Sequence, residues 1–568
     1  MAPRPHAPSS LPAPSDGVEM KIVPRPISGA SLVSDYLAAR EPALGFYGGL
    51  RPDRIESYRA KMLEVEPHFD RAARERLAGI LGGGGGDARE RLQSFVEDGG
   101  FAVTTGQQPG LLGGPLFELY KALSAAALAR RLQSALGRPV IPVFWLATQD
   151  HDWEEVRRTH LPDIDNELAS VELTLPEGMP AHSFHEPELG DALSEARVRL
   201  LEALPTTDFS EPYRAILDAS HGEARGLADA EEALLEQLLA PAGVFILRPD
   251  RVDPARAALP VLLAELSEAS ERETAVGERG GALEEAGYAL QVPLLDGGVN
   301  LFVSTDRGRE RLFRTEDGGF HTRGSDRRIP LAELRELAQA DPARLTPNVL
   351  LRPVVESTLV PTLAYVAGPG ETAYFPQTLP LFAAAGRTLP IVHPRLSAIL
   401  IESKVGKVVE KFGLELDQLS RPHHELAGDL TRDEIPSEVR SAIGGLRGQL
   451  ARRCREIADA VATVDPTLKG SVDGVRRQGF SALDDLEKKV TQALKRENEI
   501  ALQQLEKAQL HLFPQGTPQE RVISPFYYLF RYGHGLFEEL EAAADSALLP
   551  SAAAPDSERP PTPAGSAG

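Results

Sequence analysis

Five short apolar runs, at 101–104, 140–146, 244–247, 362–367 and 390–392, stand between longer stretches of helical periodicity. No other feature of the chain constrains its fold as much. Strands so short and so uniformly apolar are buried on both faces, and strands alternating with helices pair in parallel, with the helices as crossovers. The chain is therefore read as an α/β protein with a parallel sheet. Each run ends in glycine or polar residues. In an open parallel sheet the carboxyl ends share one rim, and ligands bind there. Segments far apart in the chain should thus meet in one place.

The first of these ends is the richest. The run at 101–104 leads into Thr105-Gly106-Gln107-Gln108-Pro109-Gly110 and then Gly113-Gly114-Pro115. Beyond it Leu116, Leu119, Tyr120, Leu123, Ala127, Leu128 and Leu132 recur at helical spacing. Strand, glycine loop and helix start form an anion-binding device, because backbone N–H groups and the positive helix end face the ligand. Gln107 and Gln108 add neutral donors. Read more plainly, the glycines serve only a tight turn.

The second run ends in Gln149-Asp150-His151-Asp152. Its carboxylates could orient His151, hold magnesium beside a nucleotide or bind a substrate amine, or simply cap the next helix. Gly368-Pro369-Gly370-Glu371-Thr372-Ala373 formally fits a dinucleotide fingerprint. Pro376 and Pro380 interrupt the helix that should follow, and the next strand runs into His393-Pro394-Arg395 rather than an acid. No NAD site is read there. The plainer reading is a glycine turn with Glu371 aimed at a ligand. Arg352, Glu356 and Arg395 also lie near strand ends, where arginine clamps a carboxylate or phosphate, or forms a surface ion pair.

Composition excludes several classes. A net charge of -22, from 61 basic and 83 acidic residues among 568, argues against a nucleic-acid partner. The one cysteine, Cys454, permits neither an internal disulfide nor a multi-cysteine zinc site, and is read as a packing residue. No second cluster has zinc-ligand spacing, so no metal site is assigned. The longest apolar run, 140–147, is too short to cross a bilayer, and the N-terminus has no signal-peptide core. A cytoplasmic protein without a membrane partner is expected.

The organisation expected is a disordered tail (1–20) and an N-terminal helical segment (21–100) broken by a flexible loop at the glycines 82–86. The core comes in three parts (101–160, 241–284, 347–400). Between them lie a mostly helical insertion (161–240) and a β-containing insertion (285–346). In the first insertion 170–175 is read as a strand. In the second, 288–295 and 299–305 are expected to pair as a hairpin about Asp296-Gly297-Gly298. A helical arm (401–512), a C-terminal segment packing back on the core (513–545) and a second disordered tail (546–568) complete the chain. In the arm Leu483, Leu486, Val490, Leu494, Ala501, Leu505, Ala508 and Leu512 mark one long amphipathic helix, antiparallel to another at 436–462. An antiparallel coiled coil and a homodimer contact follow.

Several motifs taken together resemble one family, the bacillithiol-biosynthesis cysteine-adding enzymes. They are Thr105 through Leu111 with Gly114-Pro115-Leu116, Pro142-Val143-Phe144-Trp145 with Asp150-His151-Asp152, and Asn348 through Pro353. Pro361-Thr362-Leu363-Ala364, Gly368 through Glu371 with Ala373-Tyr374, Pro394-Arg395 and Gln519-Glu520-Arg521 complete the set. The resemblance implies a Rossmann-like nucleotidyltransferase core, similar to that of class I aminoacyl-tRNA synthetases, with connecting-peptide insertions and a coiled-coil dimerisation arm. The loop Gln107-Gln108-Pro109-Gly110 would stand where the synthetases carry His-x-Gly-His. The sequence lacks those histidines and has no clear Lys-Met-Ser-Lys-Ser loop, 395–404 being the nearest stretch.

The implied reaction joins cysteine to glucosaminyl-malate, with ATP as co-substrate and magnesium able to accompany it. Its catalytic candidates are Asp150, His151, Asp152, Gln107 and Gln108. Substrate- or nucleotide-binding candidates are Thr105, Gly106, Gly110, Arg352, Glu356, Gly368, Gly370, Glu371 and Arg395. Two alternatives stand beside it: another ATP-dependent ligase or nucleotidyltransferase on the same core, and a non-catalytic ligand-binding scaffold organised by the coiled coil.

Overall fold

The structure is a computed structural model that describes residues 20–548, apart from 28, 177, 178, 326, 434 and 498. The two expected tails lie outside the described residues, except that Met20 opens the strand Met20–Pro24 and 546–548 end the helix Gly535–Leu548. The chain forms two units, one of 22–399 with 520–548 and one of 400–519 with 20–21.

The first unit is built on a six-stranded sheet: β1 (Gly82–Gly83), β2 (Phe101–Gln107), β3 (Val140–Leu146), β4 (Phe245–Leu247), β5 (Thr362–Ala367) and β6 (Ile391–Pro394). The spatial order is β6-β5-β2-β3-β4-β1. All neighbours are parallel except the β4–β1 pair. Register between β2 and β3 is unbroken from Phe101↔Val140 to Gln107↔Leu146. The chain leaves β2 toward β3 and β4, then returns to add β5 and β6 on its other side. Strand order therefore reverses between β2 and β5, which opens a crevice at their carboxyl ends.

Alternate residues supply two cores. Ala102, Ile141, Val143, Trp145 and Tyr365 belong to one, and Phe101, Val103, Val140, Leu363 and Val366 to the other. Burial on both faces is why these strands read as continuous apolar runs.

Two expectations need correction. The glycines 82–86 are not a flexible loop. Gly82 and Gly83 pair antiparallel with Ile246 and Phe245 as a sixth, edge strand. Gly84, at φ +85°, lies so close that a Cβ would stand 2.2 Å from the Phe245 ring. Close approach, not freedom, calls for glycine there. In the second insertion, 288–295 is not a strand. Pro293 offers no N–H, and the Val292 N–H and C=O are bonded to the Gln377 side chain at 3.0 and 2.8 Å. The hairpin forms one step later, Gly298–Thr305 with Gly308–Arg314, flanked by Phe320–Thr322 and Leu345–Pro347.

Where one strand at 170–175 was expected, a hairpin stands instead, Arg158–Pro162 with Leu168–Glu172. Three helices follow: Gly190–Ala203, Ser210–His221 and Leu227–Leu238. At the C-terminus, Pro525–Tyr532 and Gly535–Leu548 belong to the first unit, where the Ile523 carbonyl accepts from the Leu116 amide at 3.0 Å.

In the second unit the helix Ser437–Ala462 runs antiparallel to Lys469–Glu497. Arg447 pairs with Asp484 at 2.6 Å, and Leu450 lies against Gly479, so partner numbers fall as their own rise. The stretch expected to carry the apolar stripe is helical on both sides of residue 498, which lies outside the described residues, over Lys469–Glu497 and Glu499–Leu512. Cys454 is buried in this unit, as a packing residue would be. Among the described residues no helix is long and apolar enough to cross a membrane.

Candidate functional site

A cavity of about 780 Å³ opens at the carboxyl ends of β2, β3 and β5, with one wall from the second insertion. It spans the point where strand order reverses.

On the β2–β5 side its centre is Lys121, in the second turn of α1 (Leu116–Leu136). The buried Lys121 ammonium donates to the Gly106 carbonyl at 2.7 Å and to Gln107 Oε1 at 3.0 Å, and pairs with Glu371 at 2.6 Å. Burial pulls its pKa below the ordinary lysine range, against the pull of Glu371. Glu371 also accepts from the Tyr365 hydroxyl at 2.6 Å and the Gly368 amide at 2.8 Å. Burial alone would raise this carboxyl, but Lys121, Tyr365 and Gly368 hold it below the usual range. Arg352 opens α2 (Arg352–Leu359), donating to Glu356 at 2.7 Å and to the Tyr365 hydroxyl at 3.1 Å. Arg395 donates to Glu520 at 2.7 Å.

On the β3 side the organiser is Arg309, from the insertion. It donates to Asp150 at 3.0 Å, His151 Nδ1 at 2.9 Å, the Pro347 carbonyl at 2.9 Å and Thr346 at 3.0 Å. Its guanidinium lies 3.9 Å over the Phe302 ring. Asp150 accepts further from Gln108 at 2.8 Å and from the His151 amide at 2.9 Å. Burial would raise Asp150, but His151, Arg309 and Gln108 hold it far below the carboxylate range. His151 Nδ1 lies 2.9 Å from the Arg309 guanidinium and 3.3 Å from Asp150 Oδ1, so the ion pair fixes the ring by this nitrogen. Asp150 ties the loop, the strand end and the insertion together.

With this geometry in hand, residues 18–396 match the family model for the Bacillithiol biosynthesis BshC N-terminal Rossmann-like domain, and 398–548 that for the BshC C-terminal coiled-coil domain. The chain belongs to the bacillithiol-biosynthesis BshC family. It is 31% identical over 468 residues to a protein of Salinibacter ruber, covering 80% of this chain and 83% of that one. A protein of Koribacter versatilis is 32% identical over 521 residues, 90% of this chain and 95% of its own. One from Geobacillus thermodenitrificans is 28% identical over 546 residues, 93% and 98% of the two. All three bear the name "Putative cysteine ligase BshC".

Within the BshC Rossmann-like domain, ten of the residues singled out from sequence line the cavity. They are Gly106, Gln107, Gln108, Asp150, His151, Arg352, Gly368, Gly370, Glu371 and Arg395. Four do not. The Thr105 hydroxyl bonds the Val366 carbonyl at 2.8 Å, joining two strands. Glu356 is buried behind Arg352. Asp152 is exposed and precedes the short helix Trp153–Val156, and Glu155 of that helix takes the rim position instead. Gly110 packs on Glu118, where a Cβ would come within 2.4 Å of the carboxylate.

The glycine loop itself departs from expectation. Leu112, Gly113 and Gly114 have φ of +54°, +81° and +58°. Such a turn makes an anion nest, but its occupant is the chain's own Glu231, which accepts from the Gly113 amide at 3.1 Å. Glu231 is buried and bonded to His221 Nε2 at 3.0 Å. The nest faces inward, away from a ligand.

The sequence reading missed Glu118, Lys121, Arg309, Tyr365 and Glu155. A signal existed for the first two: they are the only acidic and basic residues in the apolar first half of α1, directly after the glycine loop. Nothing local marks Arg309 among the many arginines around it. Among the described residues no group of three His, Cys, Asp or Glu side chains is placed to hold a metal ion.

Proposed function

We propose that this chain is a cysteine ligase of bacillithiol biosynthesis, which joins the carboxyl of cysteine to the amine of glucosaminyl-malate and consumes ATP to activate that carboxyl. The observation that carries the reading is a single cavity at the reversal of strand order in a BshC-family core, walled by held charges on two sides. Its volume, about 780 Å³, lies toward the upper end of small-molecule sites and suits more than one reactant.

A carboxylate does not acylate an amine near neutral pH until one oxygen becomes a good leaving group. ATP supplies this by forming an acyl-adenylate or an acyl-phosphate. The amine nitrogen then attacks the acyl carbon, the bond to the activating phosphate oxygen breaks, and the amine loses a proton. The protein must align the two reactants and stabilise the oxyanion that develops. His151 and Gln108, both lining the cavity, are the candidate donors at the β3 end. Asp150 is too firmly held as a carboxylate to accept a proton well. Glu155, on the cavity rim, suits that task better, since desolvation and the nearby Asp152 and Asp150 raise its carboxyl above the ordinary glutamate value.

The test is incubation of the purified chain with ATP, cysteine and glucosaminyl-malate, with the nucleotide and amide products measured by mass. Amide formation with stoichiometric AMP or ADP supports the reading. Turnover only with another acid and amine would make it a different ligase on the same core, and no turnover with any pair would refute an enzyme.

We infer in addition that the arm mediates a homodimer. Leu446, Ile457, Val475 and Leu486 are 53, 50, 59 and 46% exposed on it. Sedimentation should give a dimer, and Val475→Glu with Leu486→Glu should give a folded monomer; a monomeric wild-type chain would refute the contact.

A further inference from the structure

The charges of the cavity wall do not all have partners. Lys121 has Glu371, Arg309 has Asp150, Arg352 has Glu356 and Arg395 has Glu520, at 2.6, 3.0, 2.7 and 2.7 Å. Glu118 lines the same cavity and is 5% exposed. Its side chain accepts no hydrogen bond from any described residue. The charges acting on it are Glu231, which repels, and Lys121, which is already tied to Glu371.

The local backbone is shaped around this carboxylate. A Cβ on Gly110 would stand 2.4 Å from Glu118 Oε1, and one on Gly114 1.9 Å from it. Two glycines leave room for the carboxylate to reach the cavity wall. Burial and the Glu231 charge push its pKa well above the usual glutamate range. A buried carboxyl left without a donor is costly, and a positively charged occupant would remove that cost.

We propose that Glu118 is the seat of a substrate ammonium, namely the α-ammonium of the amino acid whose carboxyl is activated in this cavity. This rests on the ligase reading above. Of the two amines in that reaction, only one can use such a seat. The attacking amine must present a lone pair, so a group that holds it as ammonium would block it. The amine of the activated amino acid must instead be kept from attacking a second activated molecule, which would give a dipeptide. An unprotonated α-amine is accessible near neutral pH, its ordinary pKa being about 8. A buried carboxylate keeps it protonated, and so gives recognition and protection together.

The experiment measures binding of L-cysteine and of 3-mercaptopropionate, which has the same thiol and carboxylate but no amine, to the full chain by calorimetry. L-Serine and L-alanine, each beside its deamino counterpart, extend the panel. The wild-type chain should bind the amine-bearing member at least about tenfold more tightly, a difference Glu118→Gln should erase by weakening that member alone. Glutamine matches the protonated acid in shape, and thermal unfolding checks the fold. Glu118→Asp keeps a carboxylate and should retain part of the preference. If serine or alanine, but not cysteine, shows a Glu118-dependent preference, the seat stands and the cysteine reading fails. A wild-type chain that does not distinguish amine from deamino ligand, or binds none, overturns the proposal without recourse to a variant. Equal weakening of both members by Glu118→Gln overturns it as well.

Discussion

Replacing Lys121 with methionine tests whether the β2–β5 end of the cavity is held by charge. The Lys121 side chain is 3% exposed, and its ammonium bonds Gly106, Gln107 and Glu371. Removing one partner of a buried ion pair costs about 3–5 kcal/mol, because the other charge is left uncompensated. Glu371 is less stranded than that: it is 19% exposed and keeps the Tyr365 and Gly368 donors. The desolvation that lowers the lysine pKa is also relieved, and methionine fills much the same space. Against this, the Gly106 carbonyl loses its charged donor, worth about 1–3 kcal/mol if water does not replace it. The balance is a loss of about 2–4 kcal/mol.

The chain's two tryptophans, Trp145 and Trp153, are both buried in the first unit, so urea unfolding followed by their emission reports that unit alone. Lys121→Met should lower the midpoint at unchanged slope. Lys121→Met with Glu371→Gln should recover more than half of the loss, since neither charge is then stranded. Ligase activity should be lost in both variants. A single variant as stable as wild type, or a double variant less stable than the sum of the singles, would refute the reasoning.

Glu118→Gln gives a pH-dependence of defined sign. The folded-state pKa is raised, so both states are protonated at low pH and the group costs nothing there. As pH rises above about 4.3 the unfolded chain ionises while the folded chain resists, and stability is lost. Glu118→Gln should therefore match wild type near pH 3.5 and exceed it increasingly toward neutrality; unfolding midpoints across that range check this, and a gap that closes as pH rises would contradict it. Gly84→Ala should destabilise the first unit by about 2–4 kcal/mol, from a strained positive φ and a clash with the Phe245 ring. A truly flexible loop would tolerate it, and the same tryptophan-detected unfolding decides. Cys454→Ala should keep most ligase activity, because the bond proposed to form is an amide and the thiol is buried in the other unit. Complete loss in a folded variant would bring back a protein nucleophile.

The sheet was legible because burial on two faces leaves a mark that needs no context. The runs that became β2 to β6 had to be apolar throughout, and each could end only where polar residues begin. The coiled coil was legible for a similar reason, since its periodicity is a property of one helix. The rim at which Gln108, Asp150 and Gly368 meet followed from topology alone. Other features depend on what lies opposite, and that only the tertiary structure decided. Glycines 82–86 look the same whether they are free or pressed against the Phe245 ring. The glycine loop looks like an anion site whether its guest is a substrate or Glu231. Val292 could have joined a strand until Gln377 took its backbone groups. Arg309 is one arginine among many until the insertion folds it onto Asp150 and His151. Glu118 and Lys121 were visible as charges in an apolar helix, yet only the packed cavity shows that one is paired and the other is not. Local periodicity determines which surfaces are buried; the identity of a polar group's partner is a property of the folded chain.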